Sequence, residues 1–227
     1  MTDSATTAAP AYSRTKRSVL LIVAALLAYA AVDLFGPRTS DLRQFEPLEV
    51  GRLETSMWRA YYDRRPVALF GDLSQLMRTQ YHFPWLRSQV AAYHAARAAF
   101  LFKGGHSRAE YERALPSLLS FYAAIRKVSN TPFDASQAAR LELEWWIVHR
   151  QTRAEGPQAL WKALADLQAC IYGVPAERMI EHARARGDAM LLRDREADGG
   201  GVSEEQWREI RRLLEASWTS LWNAVKV

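Results

Sequence analysis

The stretch ARLELEWWIVHR, residues 139–150, brings ionisable side chains next to two adjacent tryptophans. The spacing predicts one helix on which Glu142 and His149, seven residues apart, share a face. Glu144 lies about 200° around the helix axis from Glu142 and so points to another side. Because the tryptophans lower the local dielectric, a buried carboxylate or imidazole here needs a partner or a changed protonation state. We therefore expect Glu142 and His149 to face the interior between helices.

Polar residues also interrupt other apolar segments of the chain. His94 and Arg97, three residues apart, are the only strongly polar side chains after Gln89 in the segment 88–102. Their spacing puts them on one side of a helix, and we expect them to be the partners of Glu142. The full set of residues predicted to converge on an interior polar cluster, a possible ligand or metal site, is Glu54, His94, Arg97, Glu142, His149, His182 and Arg186.

Three interpretations of this polar cluster remain open. Salt bridges between helices, such as Glu54 or Glu142 with Arg97 or Arg186, would specify how the helices pack. A metal centre would use carboxylates and histidines from facing helices to hold iron or manganese. However, the Glu-x-x-His spacing of di-iron bundles occurs nowhere in the chain. A polar ligand pocket built from the same groups is the third interpretation.

Motifs of other enzyme classes are missing from the sequence. It contains no G-x-S-x-G, no H-E-x-x-H and no G-x-G-x-x-G. The single Cys170 stands in the apolar stretch LQACIYG, which is typical of a small buried hydrophobe, and it cannot form an intramolecular disulfide. These patterns assign neither an enzymatic activity nor a cofactor to the protein.

The N-terminal part of the sequence indicates export to or across a membrane. Residues 1–17 form a polar tail, predicted to be flexible, that ends in three basic residues, and residues 18–32 follow without a charge. The segment 18–36 is therefore predicted to be a transmembrane signal-anchor, with the basic flank holding the N-terminus in the cytoplasm.

A cleavable signal peptide is the alternative interpretation of the same segment. Ala28 and Ala30 provide the small residues of an A-x-A cleavage site, and the apolar run is only moderately long. Both interpretations place residues 37–227 outside the cytoplasm, as one exported domain.

The charge of this exported part does not point to a nucleic acid as partner. It carries 27 basic and 23 acidic residues, spread along the chain and not gathered in blocks. The membrane, through residues 18–36, and a protein bound on the helical surface remain the predicted partners. The aromatic-rich last helix is one candidate for that surface.

Helix-start patterns recur along the exported part, and no segment alternates with period two long enough for a strand. They predict an all-α fold, with the N-terminal membrane-targeting helix followed by a closed bundle of about eight helices, because no repeat of fixed period suggests a solenoid. The predicted start residues are Pro47, Pro66, Pro84, Ser107, Asp134, Pro157, Pro175 and Ser203.

Two classes of function follow from these predictions. The first is a non-enzymatic, membrane-anchored extracytoplasmic domain, a binding or interaction module that contacts a partner protein or an envelope component through its helical surface. The second is a small helical metalloenzyme that uses the buried glutamate and histidine residues.

Overall fold

In the computed structural model, residues 11–226 are described, with side chains for residues 15–151 and 156–226. The described chain divides between Gly36 and Pro37 into two compact units. The first contains helix α1, Ala11–Phe35. Part of it, Thr15–Phe35, has a mean hydropathy of 2.3 and is long and apolar enough to cross a membrane.

Helix α1 begins inside the segment that was predicted to be a flexible tail. Its first described residue is Ala11, so the helix includes seven residues of the predicted tail, 11–17. No proline or glycine stands in this stretch to stop a helix from extending backwards from the apolar run. Residues 1–10 of the predicted tail lie outside the described residues.

The second unit is helical, which confirms the predicted all-α class. In the described part of the chain the β-type contact is a single bridge between Ser40 and Ser129. The helices of this unit are α2 (Pro47–Tyr62), α3 (Pro66–Tyr81), α4 (Trp85–Lys103), α5 (Arg108–Tyr111), α6 (Leu115–Val128), α7 (Ala135–Glu155), α8 (Pro157–Tyr172), α9 (Ile180–Asp198) and α10 (Glu204–Val225).

The helix starts follow the proline and capping residues closely. Pro47, Pro66 and Pro157 occupy first positions, where the missing N–H costs nothing. Pro84 stands one residue earlier than predicted, at the N-cap of α4. Ser203 completes a capping box with the third helical residue of α10.

One predicted helix is interrupted. The helix expected to run on from Ser107 splits into α5, a 3₁₀ turn at Glu112–Ala114, and α6. Pro116 explains the break, because it has no N–H to donate and its ring would collide with the carbonyl group of Glu112 in a continuous α-helix.

The long helices of the second unit form a closed ring. From α2 to α10 each long helix packs against the next along the chain, and α10 returns to pack against α2. The close approach of α2 to α10 depends on Gly51, since a Cβ there would lie 2.7 Å from the Cα of Glu215. This arrangement confirms the closed bundle predicted from the sequence.

The two ends of the second unit lie at the same end of this ring. Residues Asp41 and Phe45, before α2, border one surface groove together with Trp222 and Lys226 at the end of α10. The chain therefore enters and leaves the ring at neighbouring points.

Candidate functional site

The ring encloses a central cavity of about 200 Å³. Side chains from all eight long helices of the second unit line it, and most are apolar or aromatic. Its walls include Met57, Trp58, Leu69, Leu73, Leu76, Met77, Phe100, Leu118, Phe121, Trp145 and Trp146.

One end of the central cavity is its mouth and the other its floor. At the mouth, Tyr61, Leu69 and Phe100 also border a surface groove, and Phe100 is 56% exposed. At the floor lies Glu54, which is 1% exposed. Because an α-helix rises 1.5 Å per residue, Glu54 lies about 10 Å along α2 from Tyr61.

A buried ion pair forms part of the floor. Arg186 from α9 donates to Glu54 Oε1 from Nε at 2.9 Å and from Nη2 at 2.7 Å. The other carboxylate oxygen of Glu54 accepts from the indole Nε1–H of Trp218 on α10. Both oxygens of Glu54 are thus engaged, and three helices are joined at one carboxylate.

A second carboxylate, Glu142 on α7, lines the same cavity with different partners. Its Oε2 accepts from the hydroxyl of Tyr122 at 2.7 Å, and its Oε1 accepts from Nε1–H of Trp146 at 2.9 Å. Both donors are neutral. Unlike Glu54, Glu142 therefore has no cationic hydrogen-bond partner among the residues whose side chains are described.

Burial and these charges set the protonation states at the floor. Burial raises the pKa of Tyr122 well above its ordinary value, and the charge of Glu142 raises it further, so the phenol remains a donor. Burial alone would lower the pKa of Arg186, but the charges of Glu54 and Glu142 outweigh it and the pKa is raised. The guanidinium therefore stays charged.

Three polar groups of the cavity lining have no hydrogen-bond partner among the described residues, and one of them is the donor Nε2 of Gln80. The other two lie on α8 and α7. They are Oε1 of Gln168, an acceptor, and Nε1 of Trp145, a donor. Gln168 is 5% exposed. Buried polar groups normally find partners, so unpartnered ones in a cavity lining are typical of positions that a ligand or water satisfies.

The structure places Glu54, Glu142 and Arg186 of the predicted polar cluster together at the central cavity. The expected pairing of Glu142 with His94 and Arg97 is wrong. Arg97 is exposed, and His94 is half-buried beside the ring of Tyr93. The reason is that α4 is apolar on almost every side, so its few polar residues do not mark its inner face, which is lined by alanines.

The two other histidines of the predicted cluster also lie outside the cavity lining. His149 places Nε2 at 2.9 Å from Oδ2 of Asp194 on α9 and does not meet Glu142. His182 is fully buried, with Nδ1 at 2.8 Å from the hydroxyl oxygen of Ser217. His149 therefore connects α7 with α9, and His182 connects α9 with α10.

The donor set at the cavity does not match a metal centre. Within residues 15–151 and 156–226, no group of three His, Cys, Asp or Glu side chains is positioned to hold a metal ion. Glu54 is already saturated by Arg186 and Trp218, which leaves Glu142 as one carboxylate with spare acceptor capacity.

Sequence reasoning missed three polar contributors, Tyr122, Gln168 and Trp218. Tyr122 and Trp218 count as apolar in a helix-period pattern, so their hydroxyl and N–H groups give no separate indication. Gln168 could have been found, because it interrupts the apolar stripe of α8 next to Leu164 and Leu167. The tryptophans of the last helix, predicted as a possible docking surface, lie mostly in the core instead, since Trp218 is 3% exposed and Trp207 is 7% exposed.

A nucleophilic role for Cys170 finds no support in its surroundings. Burial raises the pKa of its thiol, and so does the charge of Asp134, which keeps it in the less reactive protonated form. The cavity lining itself contains no cysteine, serine or threonine among the described residues. Its chemistry is that of binding: apolar walls, aromatic rings and a charged, hydrogen-bonding floor.

Compared with known proteins, the chain matches no family model, no curated protein and no solved structure. Any functional assignment therefore depends on the geometry of the ring and its cavity.

Proposed function

We propose that the protein is a membrane-anchored extracytoplasmic binding domain whose central cavity holds one small molecule with an apolar body and a polar group. The observation that carries this proposal is an apolar cavity closed at one end by polar groups that include the unpartnered Gln168. Pockets for small molecules combine these features, with apolar walls for affinity and a few polar groups for orientation.

The membrane location in this proposal is supported by α1 and its flanks. The uncharged run 18–32 within the apolar helix Thr15–Phe35 is preceded by Arg14, Lys16 and Arg17, which favour retention of the N-terminus in the cytoplasm. Residues 37–227 would then be exported. A reporter enzyme that is active only outside the cytoplasm, fused after Val227, should be active. If this reporter is silent and a reporter that works only in the cytoplasm is active at the same position, the proposed orientation is wrong.

Intact mass of the membrane-extracted protein decides whether the segment is an anchor or a cleaved signal peptide. An anchor leaves the full mass, whereas cleavage after Ala30 removes residues 1–30. Either result is compatible with a binding domain outside the cytoplasm, but only the full mass supports anchoring through α1.

Ligand binding can be tested with 2-phenylethanol, an uncharged probe with one ring and one hydroxyl group. We expect it to change the tryptophan fluorescence of the full chain in lipid nanodiscs, because Trp58, Trp145 and Trp146 line the cavity. Empty nanodiscs provide the blank for partition into lipid.

A cavity-filling variant tests whether that binding takes place in the central cavity. Ala96 on α4 lines the cavity, and Ala96→Leu should weaken binding at least tenfold by occupying its space. The matched control is Ala123→Leu on α6, where the side chain is exposed. Equal binding by the two variants would place the probe elsewhere and contradict the proposal.

A further inference from the structure

We infer that the ligand of the central cavity is an organic cation, a primary ammonium group carried by an apolar body of about one aromatic ring. This inference deepens the proposed function and rests on it. It concerns the chemical class of the ligand, which the proposed function leaves open.

The charge balance of the cavity lining is the first step. Among the residues whose side chains are described, the charged members of the lining are two carboxylates, Glu54 and Glu142, and one guanidinium, Arg186. Arg186 directs both Nε and Nη2 to Glu54, and that pair is balanced. Glu142 accepts from neutral donors alone. The described part of the lining therefore carries a formal net charge of −1. Glu142 is the carboxylate without a hydrogen bond to Arg186, although the two charges also interact through space. An ammonium group of the ligand beside Glu142 would neutralise this excess.

Hydrogen-bonding capacity points to the same kind of group. A carboxylate offers about four lone-pair positions, and the two donors to Glu142 occupy only part of them. Oε1 of Gln168 is a further acceptor in the lining, and it has no partner. An ammonium group brings three N–H donors and no acceptor, which fits the spare acceptor positions of Glu142 and Gln168. The unpartnered donors of the lining, Nε1 of Trp145 and Nε2 of Gln80, are then left to water.

The walls of the cavity favour a cation as well. Trp145 and Trp146 follow Glu142 by three and four residues, one turn along α7, and line the cavity with it. Aromatic faces attract cations through their quadrupole, most strongly where water is excluded. The ring of Trp145 is already engaged by a cation, since Cζ of Arg186 lies 5.2 Å from its centroid, which leaves the ring of Trp146 for the ligand.

Positive charges near the mouth do not reverse this preference. Arg64, Arg65 and Lys103 border the surface groove at the mouth, but all three are exposed. Charges in water are screened by solvent and salt, whereas a carboxylate inside the ring acts through a lower dielectric. Discrimination between ligands therefore depends mainly on the interior.

The volume of the cavity limits the size of the ligand. At about 200 Å³ it exceeds the roughly 150 Å³ cavity known to hold a benzene molecule. One aromatic ring with a short aminoalkyl chain fits this space, and 2-phenylethylamine is a probe of that size.

The test compares three probes that share a ring and differ in charge: 2-phenylethylamine, 2-phenylethanol and phenylacetate. Each is titrated into the full chain in nanodiscs at pH 7, where the amine is protonated. We expect the amine to bind at least tenfold more tightly than the alcohol, and phenylacetate more weakly than both. If the alcohol or phenylacetate binds as tightly as the amine, the inference of a cationic ligand is overturned, whereas the proposed binding function stands. If no probe binds, the proposed function fails with it.

Two matched variants on α7 locate the charge that selects the amine. Glu142→Gln removes the negative charge and should abolish the tenfold preference for the amine over the alcohol, measured as the ratio of their two dissociation constants. Glu144→Gln is the control, because Glu144 pairs with the exposed Arg108 and does not line the cavity. An unchanged preference in Glu142→Gln, with the fold verified by circular dichroism, would overturn the inference. The comparison of probes on the unaltered chain does not depend on either variant.

Discussion

Glu54 is the residue on which the interior of the ring depends most directly. It is 1% exposed and accepts from Arg186 and Trp218, on two other helices. Glu54→Gln would leave the nearly buried guanidinium of Arg186 without its closest counter-charge. We expect the variant to lower the free energy of unfolding by about 3–5 kcal/mol, as broken buried ion pairs do. Chemical denaturation followed by circular dichroism measures the loss.

A surface pair provides the control for this prediction. Glu144, with 43% of its side chain exposed, pairs with Arg108, whose side chain is 62% exposed. Glu144→Gln should therefore change the free energy of unfolding by less than about 1 kcal/mol. Similar losses in Glu54→Gln and Glu144→Gln would mean that the interior pair contributes no more than a solvated one.

His182 should make the stability of the protein dependent on pH. Burial, and to a smaller extent the charge of Arg186, lowers its pKa in the folded protein to about 3, below the ordinary value of about 6.5. Between these values the unfolded chain binds a proton that the folded chain does not, so stability falls as pH falls. Between pH 7 and pH 5 we expect a loss of about 2 kcal/mol.

His182→Gln isolates this contribution from that of other titrating groups. The variant retains a side chain that can hydrogen-bond to Ser217 but cannot be protonated in this range. We expect its stability to fall less between pH 7 and pH 5 than that of the unaltered protein. Denaturation curves at both pH values give the free energy of unfolding of each protein. Equal losses of stability in the two proteins would assign the acid sensitivity to other residues.

At this scale the sequence predicted the types of residue in the site better than their pairing. Glu54 and Arg186 are separated by 132 positions, and no local pattern relates them. His149 was expected to share an interior with Glu142, but it reaches Asp194 on α9, since seven residues separate it from Glu142 by about 10 Å along the helix. Helical periodicity identifies a face, whereas the neighbour on that face depends on packing between helices.

At the scale of the helices, Gly51 controls the contact that closes the ring. A Cβ at this position would lie 2.7 Å and 2.8 Å from backbone atoms of Glu215 on α10, which cannot move aside as a flexible side chain would. Gly51→Ala should therefore lower the free energy of unfolding by about 1–3 kcal/mol, despite the better helix propensity of alanine.

The matched substitution for Gly51→Ala is on α3. Gly71 lies in a helix interior with no atom within 4 Å of a built Cβ. Gly71→Ala should raise the free energy of unfolding by about 0.5–1 kcal/mol, because alanine loses less conformational entropy on forming a helix. Thermal melts of both variants measure the difference, and opposite signs are the expected result. A stabilising Gly51→Ala would show that α2 and α10 can separate without cost.

Helix starts were the most predictable elements, since proline and capping residues act within one turn. The interruption before α6 was harder to predict from the sequence. Pro116 was present in the sequence, but the apolar spacing of the residues on either side suggested one continuous helix. Periodicity tolerates a short 3₁₀ turn, because three residues there advance the chain by about one turn, as they nearly do in an α-helix.

At the scale of the whole molecule, the closed ring explains how residues from eight helices meet at one cavity. The sequence indicated a closed bundle through the lack of a repeat, but not which helices would close it. The contact of α2 with α10 joins the beginning and the end of the unit. Such contacts follow from the overall topology and have no local sequence pattern.

The cavity mouth and the chain ends of the second unit lie at opposite ends of the ring. Tyr61, at the mouth, belongs to the last turn of α2, whereas Phe45, near Trp222 and Lys226, precedes the first turn. A reporter or label attached after the last helix should therefore leave ligand entry unobstructed.

Because the chain enters and leaves the ring at neighbouring points, the order of the helices along the chain is not essential to the architecture. A circular permutation could join the end of α10 to the residues before α2 with a short linker and open the chain at Gly199–Gly201, where Cβ atoms at Gly200 and Gly201 would meet nothing within 4 Å. In such a protein α10 would be synthesised first and α9 last, yet the same helix pairs would pack together. The packing of the ring therefore does not depend on which of its helices comes first in the chain.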